Sequence, residues 1–163
     1  MTGFVRPRSG GFVETAQRVR SGKKTELSVV MVVYHTGPAL AESLRRVLAD
    51  SGVQEFVLVD NGSTAEEIAV VDAAAAGDKR VQVLRGQGNV GFARGANLGA
   101  SAASGRVLVF LNPDAFLEPD CTAALKSALK GQPSPCLIGA RVMNTDGTEQ
   151  RGARRAQPRA RPA

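Results

Sequence analysis

Residues 27–34 read LSVVMVVY, an uncharged run in which four of the eight positions are valine. A continuous apolar run that is rich in β-branched residues predicts a strand buried on both faces, as in the middle of a parallel sheet. The run is far shorter than the roughly 18 apolar residues that predict a membrane-spanning helix. It therefore indicates a buried strand of a soluble globular domain, which a chain of 163 residues can form.

Extended and helical patterns alternate along the chain after this first strand. We predict helices over 39–51, 66–76, 92–104 and 119–130, and strands over 55–60, 80–84, 107–111 and 137–143. Strands separated by helices imply right-handed βαβ crossovers, so the fold class is α/β, with a mostly parallel sheet flanked by helices. Ala96, Ala100 and Ala103 share one face of the third helix, which predicts close packing on the sheet. In such a fold, ligands bind at the carboxyl ends of the strands.

The net charge of +6 comes from the two ends of the chain. Residues 1–26 carry six basic and two acidic residues, and residues 151–163 carry five arginines and no acid. Residues 27–150 keep 10 basic and 13 acidic residues, so we expect one mildly acidic folded domain between a basic, disordered N-terminal tail and an Arg/Pro-rich C-terminal tail. This distribution argues against a specific nucleic-acid-binding face, although the tails alone would bind nucleic acid in a strongly salt-dependent manner.

Polar side chains that follow the predicted strands are the first candidates for a site. Asp60 ends the second strand, where its carboxylate can accept hydrogen bonds from a base imide or a ribose hydroxyl, or cap the following turn. Asp114 follows the fourth strand, and its carboxylate suits Mg²⁺ or Mn²⁺ held against a diphosphate, or caps the turn into the next helix. His35 is the single histidine and follows the first strand, which predicts a polar contact rather than a general base.

Residues 86–91, GQGNVG, match the dinucleotide-binding pattern G-x-G-x-x-G and lie between a predicted strand and a predicted helix. A Rossmann-type dinucleotide-binding domain is therefore one alternative. That fingerprint normally follows the first strand of its fold, whereas this one follows the third. The short pattern by itself leaves both a dinucleotide and another nucleotide ligand open.

Three runs, LSVVMVVY, EFVLVDNGST and NVGFARGANLGASAASGRVLVFLNPDAFLEP, together resemble the nucleotide-sugar glycosyltransferases of family 2, which have the GT-A fold. The segments NVGFARGAN and LNPD are similar to the rhamnosyltransferase-like branch in particular. The resemblance covers about residues 27–155. It implies inverting transfer of a sugar from a UDP- or dTDP-sugar, dTDP-rhamnose among them. The implied acceptor is a glycan or a lipid-linked glycan in cell-wall or polysaccharide biosynthesis.

The resemblance also implies roles for residues at the strand ends. Its nucleotide-sugar-binding positions are Val33, Tyr34, Asp60, Asn61, Gly62, Ser63, Asn89, Gly91, Asn97 and Asn112. Among them, Asp60 would bind a uracil-like or thymine-like base. Asn112 stands at the first acid of the family's Asp-x-Asp motif, so Asp114 is the implied ligand of Mg²⁺ or Mn²⁺. His35 stands where the family usually has asparagine.

Members of this family extend well beyond the present length and carry a general base in their second half. We therefore expect the chain to be the donor-binding half of the fold, truncated naturally or by a gene-model or reading-frame error, with no general base of its own. A catalytically inactive nucleotide-sugar-binding remnant is the alternative. Two cysteines without metal-ligand spacing, and no signal-like N-terminus, predict a cytoplasmic protein, at most peripheral at the inner face of the membrane. A sheet that stops after four or five strands leaves an exposed edge and an uncovered apolar face, from which we expect a homodimer, aggregation or a marginally folded chain.

Overall fold

A computed structural model describes residues 26–144 and 146–150 of the chain. The predicted tails, 1–26 and 151–163, therefore lie outside the described residues, apart from Glu26. Contacts divide the chain into two compact units, Met1–Cys121 and Thr122–Ala163. Among the described helices, none is both long enough and apolar enough to cross a lipid bilayer.

Four strands and four helices alternate along the described chain. They are β1 (Leu27–Val33), α1 (Ala39–Ala49), β2 (Glu55–Asp60), α2 (Ala65–Gly77), β3 (Val81–Leu84), α3 (Phe92–Ala102), β4 (Val107–Phe110) and α4 (Cys121–Leu129). All four strands are parallel, in the order β3-β2-β1-β4. The predicted α/β fold with a parallel sheet is confirmed, and each of these elements ends within two residues of its predicted limits.

The central strand β1 is buried along its whole length, as its sequence predicts. Side chains alternate between the two faces of the sheet, so Val29 and Met31 join the core beneath α1 and α2. Val30 and Val32 face the opposite side, where α3 covers β1 and β2. Both faces of β1 are therefore covered, as is typical of a strand inside a parallel sheet, and the strand lies between β2 and β4.

The strand β4 pairs only with β1 and is therefore an edge of the described sheet. Its residue Phe110 lies opposite Val30 in the register and is half exposed. The expectation of an exposed edge is met for this part of the chain, whereas the homodimer inferred from it stays a prediction.

The close contact between α3 and the sheet depends on two glycines. Gly95 and Gly99 are the buried residues of this helix. A Cβ atom at Gly95 would lie 3.0 Å from Cγ1 of Val32, and one at Gly99 would overlap Cγ1 of Val30 and lie 3.1 Å from Cγ2 of Val59. Close packing is thus confirmed, but glycines rather than the predicted alanine face make the nearest approach.

The prediction of a strand over residues 137–143 is wrong. This segment has no regular structure apart from an isolated antiparallel bridge between Met143 and Glu149, and Leu137 is 96% exposed. A strand needs a neighbouring strand to satisfy its backbone groups, and here pairing extends to a single position. A turn follows this segment, in which the N–H of Gly147 donates to the carbonyl of Asn144 at 3.0 Å.

Replacing Gly99 by alanine will test the packing of α3. The added methyl group overlaps Val30, so we expect Gly99→Ala to lower the free energy of unfolding by about 1–3 kcal/mol. Urea-induced unfolding measures this change. The control is Gly77→Ala in the last position of α2, where a Cβ atom meets no atom within 4 Å and the helix gains up to about 1 kcal/mol. Equal stabilities for the two variants would contradict the close contact.

Candidate functional site

The carboxyl ends of the parallel strands bring most of the predicted site residues to one edge of the sheet. Val33 of β1 lies opposite Asp60 of β2, and Val59 lies opposite Leu84 of β3. The segments that follow these strands are therefore neighbours. The ends of β1, β2 and β3 supply Tyr34, the turn 60–63 and the glycine-rich loop 85–91, and the segment after β4 supplies Asn112 and Asp114.

Asp60 is buried, and its two carboxylate oxygens have different partners. Oδ1 accepts hydrogen bonds from the N–H groups of Gly62, at 3.2 Å, and Ser63, at 2.9 Å. Oδ2 lies 3.6 Å from Nε of Arg85. Burial raises the pKa of Asp60, but the hydrogen bonds from Ser63 and Gly62 and the charge of Arg85 outweigh it, so the pKa lies below its usual value. Asp60 therefore holds the turn as an ionised cap.

Asn61 joins this turn to the glycine-rich loop. Its side chain is buried; Nδ2 donates to Oδ1 of Asn89 at 3.0 Å, and Oδ1 accepts from the N–H of Val90 at 3.0 Å. Its backbone N–H donates to the carbonyl of Val33 at 2.9 Å. In addition, Nε2 of Gln87 donates to the carbonyl of Asp60 at 2.7 Å. These bonds fix the loop after β3 against the turn after β2.

Tyr34 is 48% exposed beside this turn. A Cβ atom at Gly62 would lie 3.8 Å from Cε2 of Tyr34 and 4.0 Å from Cβ of Asn89, so these three residues are neighbours. The Tyr34 and His35 rings meet edge to face, with centroids 4.4 Å apart. The side chain of Val33, by contrast, is fully buried in the core, so this residue offers a ligand its backbone at most.

The helix α3 begins directly behind the glycine-rich loop. Its N-cap is Gly91, with a φ of 79°, and no side chain caps the helix there. Oδ1 of Asn89 accepts a hydrogen bond from the N–H of Gly91 at 2.9 Å, which shapes the entry into the helix. The first N–H groups of a helix carry a partial positive charge and favour anions.

Asn112 and Asp114 lie in a turn after β4. The N–H of Ala115 donates to the carbonyl of Asn112 at 3.1 Å, and the buried Ser43 of α1 donates from Oγ to the carbonyl of Ala115 at 2.7 Å. The carboxylate of Asp114 is exposed and forms no hydrogen bond or ion pair with the described residues.

The described part of the chain gives a metal ion at Asp114 few carboxylate, imidazole or thiolate ligands. Within residues 26–144 and 146–150, no three His, Cys, Asp or Glu side chains come together around one point. Mg²⁺ characteristically uses one or two carboxylates, together with substrate phosphates and water. The open carboxylate of Asp114 fits such a shared site better than a site made of His, Cys, Asp and Glu side chains of the described residues.

The structure separates Asn97 from the other predicted residues and adds several that the sequence did not indicate. Asn97 is exposed on α3, two residues from each sheet-facing glycine and therefore on the opposite face of the helix. Arg85 bridges Asp60 to α2, where Nη2 lies 2.9 Å from Oδ1 of Asp72. Ser43 and Gln87 were also missed. Their contacts join residues far apart in sequence, which a motif does not reveal.

Comparison with known proteins identifies the family. The sequence model of the family Glycosyl transferase family 2 matches residues 28–162 of the chain. The chain belongs to this family. Glycosyltransferase GlyG of Streptococcus pneumoniae serotype 4 is 30% identical to this family 2 chain over 114 residues, which is 69% of this chain and 38% of that protein. The chain thus spans well under half the length of this relative.

Solved structures support the same family 2 fold. Mannosyltransferase PcManGT from Pyrobaculum calidifontis, in complex with GDP-Man and Mn²⁺, superimposes with a TM-score of 0.63 at 21% identity, covering 75% of this chain and 36% of that one. S. aureus TarS 1-349 in complex with UDP-GlcNAc superimposes with a TM-score of 0.58 at 16% identity, covering 72% and 40%. The predicted GT-A fold and family resemblance are confirmed.

Asp60 makes a testable contribution to acid stability in this family 2 domain. Its folded pKa lies below the ordinary aspartate value of 3.8, so its stabilisation is present above that pH and is lost as the pH falls further. We expect Asp60→Asn to lower the free energy of unfolding by about 2 kcal/mol at neutral pH, and the difference to shrink below pH 3.8. Urea titrations between pH 7 and pH 3 measure it.

The matched control for this titration is Asp114→Asn, which changes an exposed carboxylate without a partner among the described residues. This variant should follow the wild-type stability at every pH. A constant gap between wild type and Asp60→Asn across the whole range would show that Asp60 does not titrate as its contacts imply.

Proposed function

We propose that this family 2 domain binds the nucleotide of a UDP- or dTDP-sugar at the carboxyl edge of its sheet, for inverting transfer of the sugar to a glycan or lipid-linked acceptor. One observation carries the proposal. The exposed ring of Tyr34, the turn held by the ionised Asp60 and the open carboxylate of Asp114 all belong to segments that follow neighbouring parallel strands. Similar folds with GDP-Man and Mn²⁺ or with UDP-GlcNAc support this choice of ligand.

The base of the nucleotide is proposed to lie against Tyr34. An exposed aromatic face offers stacking to a base, and Gly62 beside it leaves room because it has no side chain. Asp60, Asn61 and Ser63 form the turn that borders this space, and we propose that they face the base and ribose. Val33 supports the same turn through the hydrogen bond from the N–H of Asn61 to its carbonyl.

The diphosphate is proposed to lie between the start of α3 and the turn after β4. Asn89 and Gly91 shape the uncapped helix end, which favours a negative charge. Asn112 and Asp114 lie in the turn after β4, where the Asp114 carboxylate would hold Mg²⁺ or Mn²⁺. The metal, when bound, would neutralise the negative charge of the leaving nucleoside diphosphate. Asn97, on the far face of α3, stays a prediction from the family resemblance.

Transfer requires an acceptor hydroxyl that attacks the anomeric carbon while the bond to the diphosphate breaks. The domain contributes by holding the donor so that this carbon is presented in one orientation. We assign no general base. The resemblance of NVGFARGAN and LNPD to the rhamnosyltransferase-like branch supports dTDP-rhamnose as a donor. The basic residues of 1–26 and 151–163 support attachment to an anionic membrane surface that carries a lipid-linked acceptor, at its cytoplasmic face.

Calorimetric titration with UDP and dTDP tests donor binding. We expect the affinity for UDP and dTDP to rise in the presence of Mn²⁺, because the diphosphate oxygens and a protein carboxylate would bind the same metal ion. Asp60→Ala should abolish binding by releasing the turn, and Asp114→Ala should weaken it about 10-fold or more and remove the effect of Mn²⁺. The control is Ser101→Ala, whose exposed hydroxyl bonds only within α3, to the carbonyl of Asn97 at 2.9 Å.

Absence of UDP and dTDP binding under every metal condition would refute the proposal. NAD(H) binding that ignores Mn²⁺ would instead favour the dinucleotide interpretation of residues 86–91. Donor binding without sugar transfer to any acceptor would favour the nucleotide-sugar-binding remnant over an active transferase.

Ser43 provides a separate test of the turn that carries Asp114. Its hydroxyl anchors the carbonyl of Ala115 from α1, so Ser43→Ala should loosen this turn and reduce the strengthening of UDP binding by Mn²⁺ several-fold. The cost in stability should be about 1 kcal/mol, the usual value for one hydrogen bond. Calorimetry with and without Mn²⁺ separates the two effects, again beside Ser101→Ala. An equal loss of affinity in both titrations would mean that Ser43 does not act through the metal.

A further inference from the structure

One buried carboxylate lies outside the set of residues assigned to the nucleotide. Glu67 is in the first turn of α2 and is 5% exposed. Its Oε1 accepts a hydrogen bond from the N–H of Gly37 at 2.9 Å, and its Oε2 accepts one from the N–H of Thr64 at 2.9 Å. Gly37 belongs to the loop 34–38, which connects β1 to α1. Glu67 therefore ties this loop to the start of a different helix.

The Glu67 carboxylate is held by backbone groups rather than by a basic side chain. Burial raises its pKa, but the backbone N–H groups of Thr64, Gly37 and Thr36, and the nearby His35, outweigh that effect and lower it. The group is therefore ionised although it is buried. No lysine or arginine of the described ranges forms an ion pair with it.

Capping of α2 alone does not require a glutamate at this position. Thr64 and Glu67 form a capping box, in which the Thr64 hydroxyl accepts from the N–H of Glu67 at 3.3 Å. Glutamine serves equally well in a capping box. The two N–H groups meet different oxygens, however, and glutamine replaces one of these oxygens by an NH2 group, so in the same geometry it accepts from Gly37 or from Thr64 but not from both. The second bond, to the loop, is what the carboxylate adds.

The loop that Glu67 holds has a strained backbone and carries the exposed aromatic ring. His35 has a φ of 45°, a left-handed conformation that costs energy in a residue other than glycine and persists only where neighbouring contacts enforce it. The Tyr34 ring packs edge to face on this same residue. A restraint on the loop 34–38 therefore also restrains the Tyr34 ring, which packs against His35 of this loop.

We infer that Glu67 is a positioning residue, which fixes the loop 34–38 through the N–H of Gly37 and so holds the Tyr34 ring in the place where the base of the donor binds. Only the last step, contact of the ring with the base, rests on the proposed function. The restraint on the loop stands on the geometry of Glu67 alone.

Tyrosine fluorescence measures this restraint directly, because the chain has one tyrosine and no tryptophan. In Glu67→Gln we expect a lower fluorescence anisotropy of Tyr34 and stronger quenching by acrylamide than in the wild type. UDP affinity in the presence of Mn²⁺ should fall about 10-fold, because a Tyr34 ring that is no longer held in place loses its contact with the base. The matched control is Thr64→Ala, which removes the cap hydroxyl but keeps both backbone bonds to Glu67.

The outcomes separate the two proposals. Wild-type anisotropy and quenching in Glu67→Gln, or equal changes in Thr64→Ala, would overturn the role of Glu67. If the wild type itself binds no UDP, the proposed function fails, while the fluorescence comparison still decides what Glu67 does. Should Glu67→Gln not fold, amide hydrogen exchange of the wild type replaces it. A protected Gly37 N–H supports the restraint, and free exchange at Gly37 in the folded protein refutes it.

Discussion

The burial of β1 on both faces and both edges is the constraint on which the rest of this structure depends. The strand is apolar except for Ser28, whose hydroxyl donates to Glu55. Its two neighbours run parallel to it, so their carboxyl ends meet at one edge. Because α3 packs directly on the valines of β1, positions 95 and 99 of this helix have no room for a side chain and are glycines. The place of the site and the identity of two glycines thus follow from one strand.

Buried polar side chains give this edge its order. Burying a polar group is costly unless it is hydrogen-bonded, and here four such residues each bond to the backbone of a segment at the edge. Asp60 holds its own turn, Asn61 the glycine-rich loop, Ser43 the turn after β4, and Glu67 the loop after β1. The exposed side chains of Tyr34 and Asp114 are left available to a ligand. Of the four ordering residues, Asp60 and Asn61 are also proposed to face the donor, whereas Ser43 and Glu67 only hold the segments that do.

The sequence predicted elements well where a local pattern decides them and poorly where distant partners do. The valine-rich run of β1 needs no partner to be recognised, whereas residues 137–143 look equally extended but find a partner at one position only. At the site, Asp60 and Asp114 could be selected from the sequence because each lies at or just after the end of a predicted strand. The bond from Ser43 to Ala115 joins residues 72 apart, and the bond from the N–H of Gly37 to Glu67 joins residues 30 apart. Such pairs depend on how the helices cross the sheet, which no motif of this length records.

The contact of α3 with β1 also makes the substitutions tolerated at one position depend on the residue at another. Val30 and Gly99 share one volume, since any side chain at position 99 would occupy the space of a Val30 methyl group. A lineage that enlarges residue 99 before residue 30 has become smaller passes through an overpacked, less stable intermediate. Substitutions at these two positions should therefore appear as a correlated pair among descendants of this chain. Gly77, which meets no neighbouring atom, is free to drift alone.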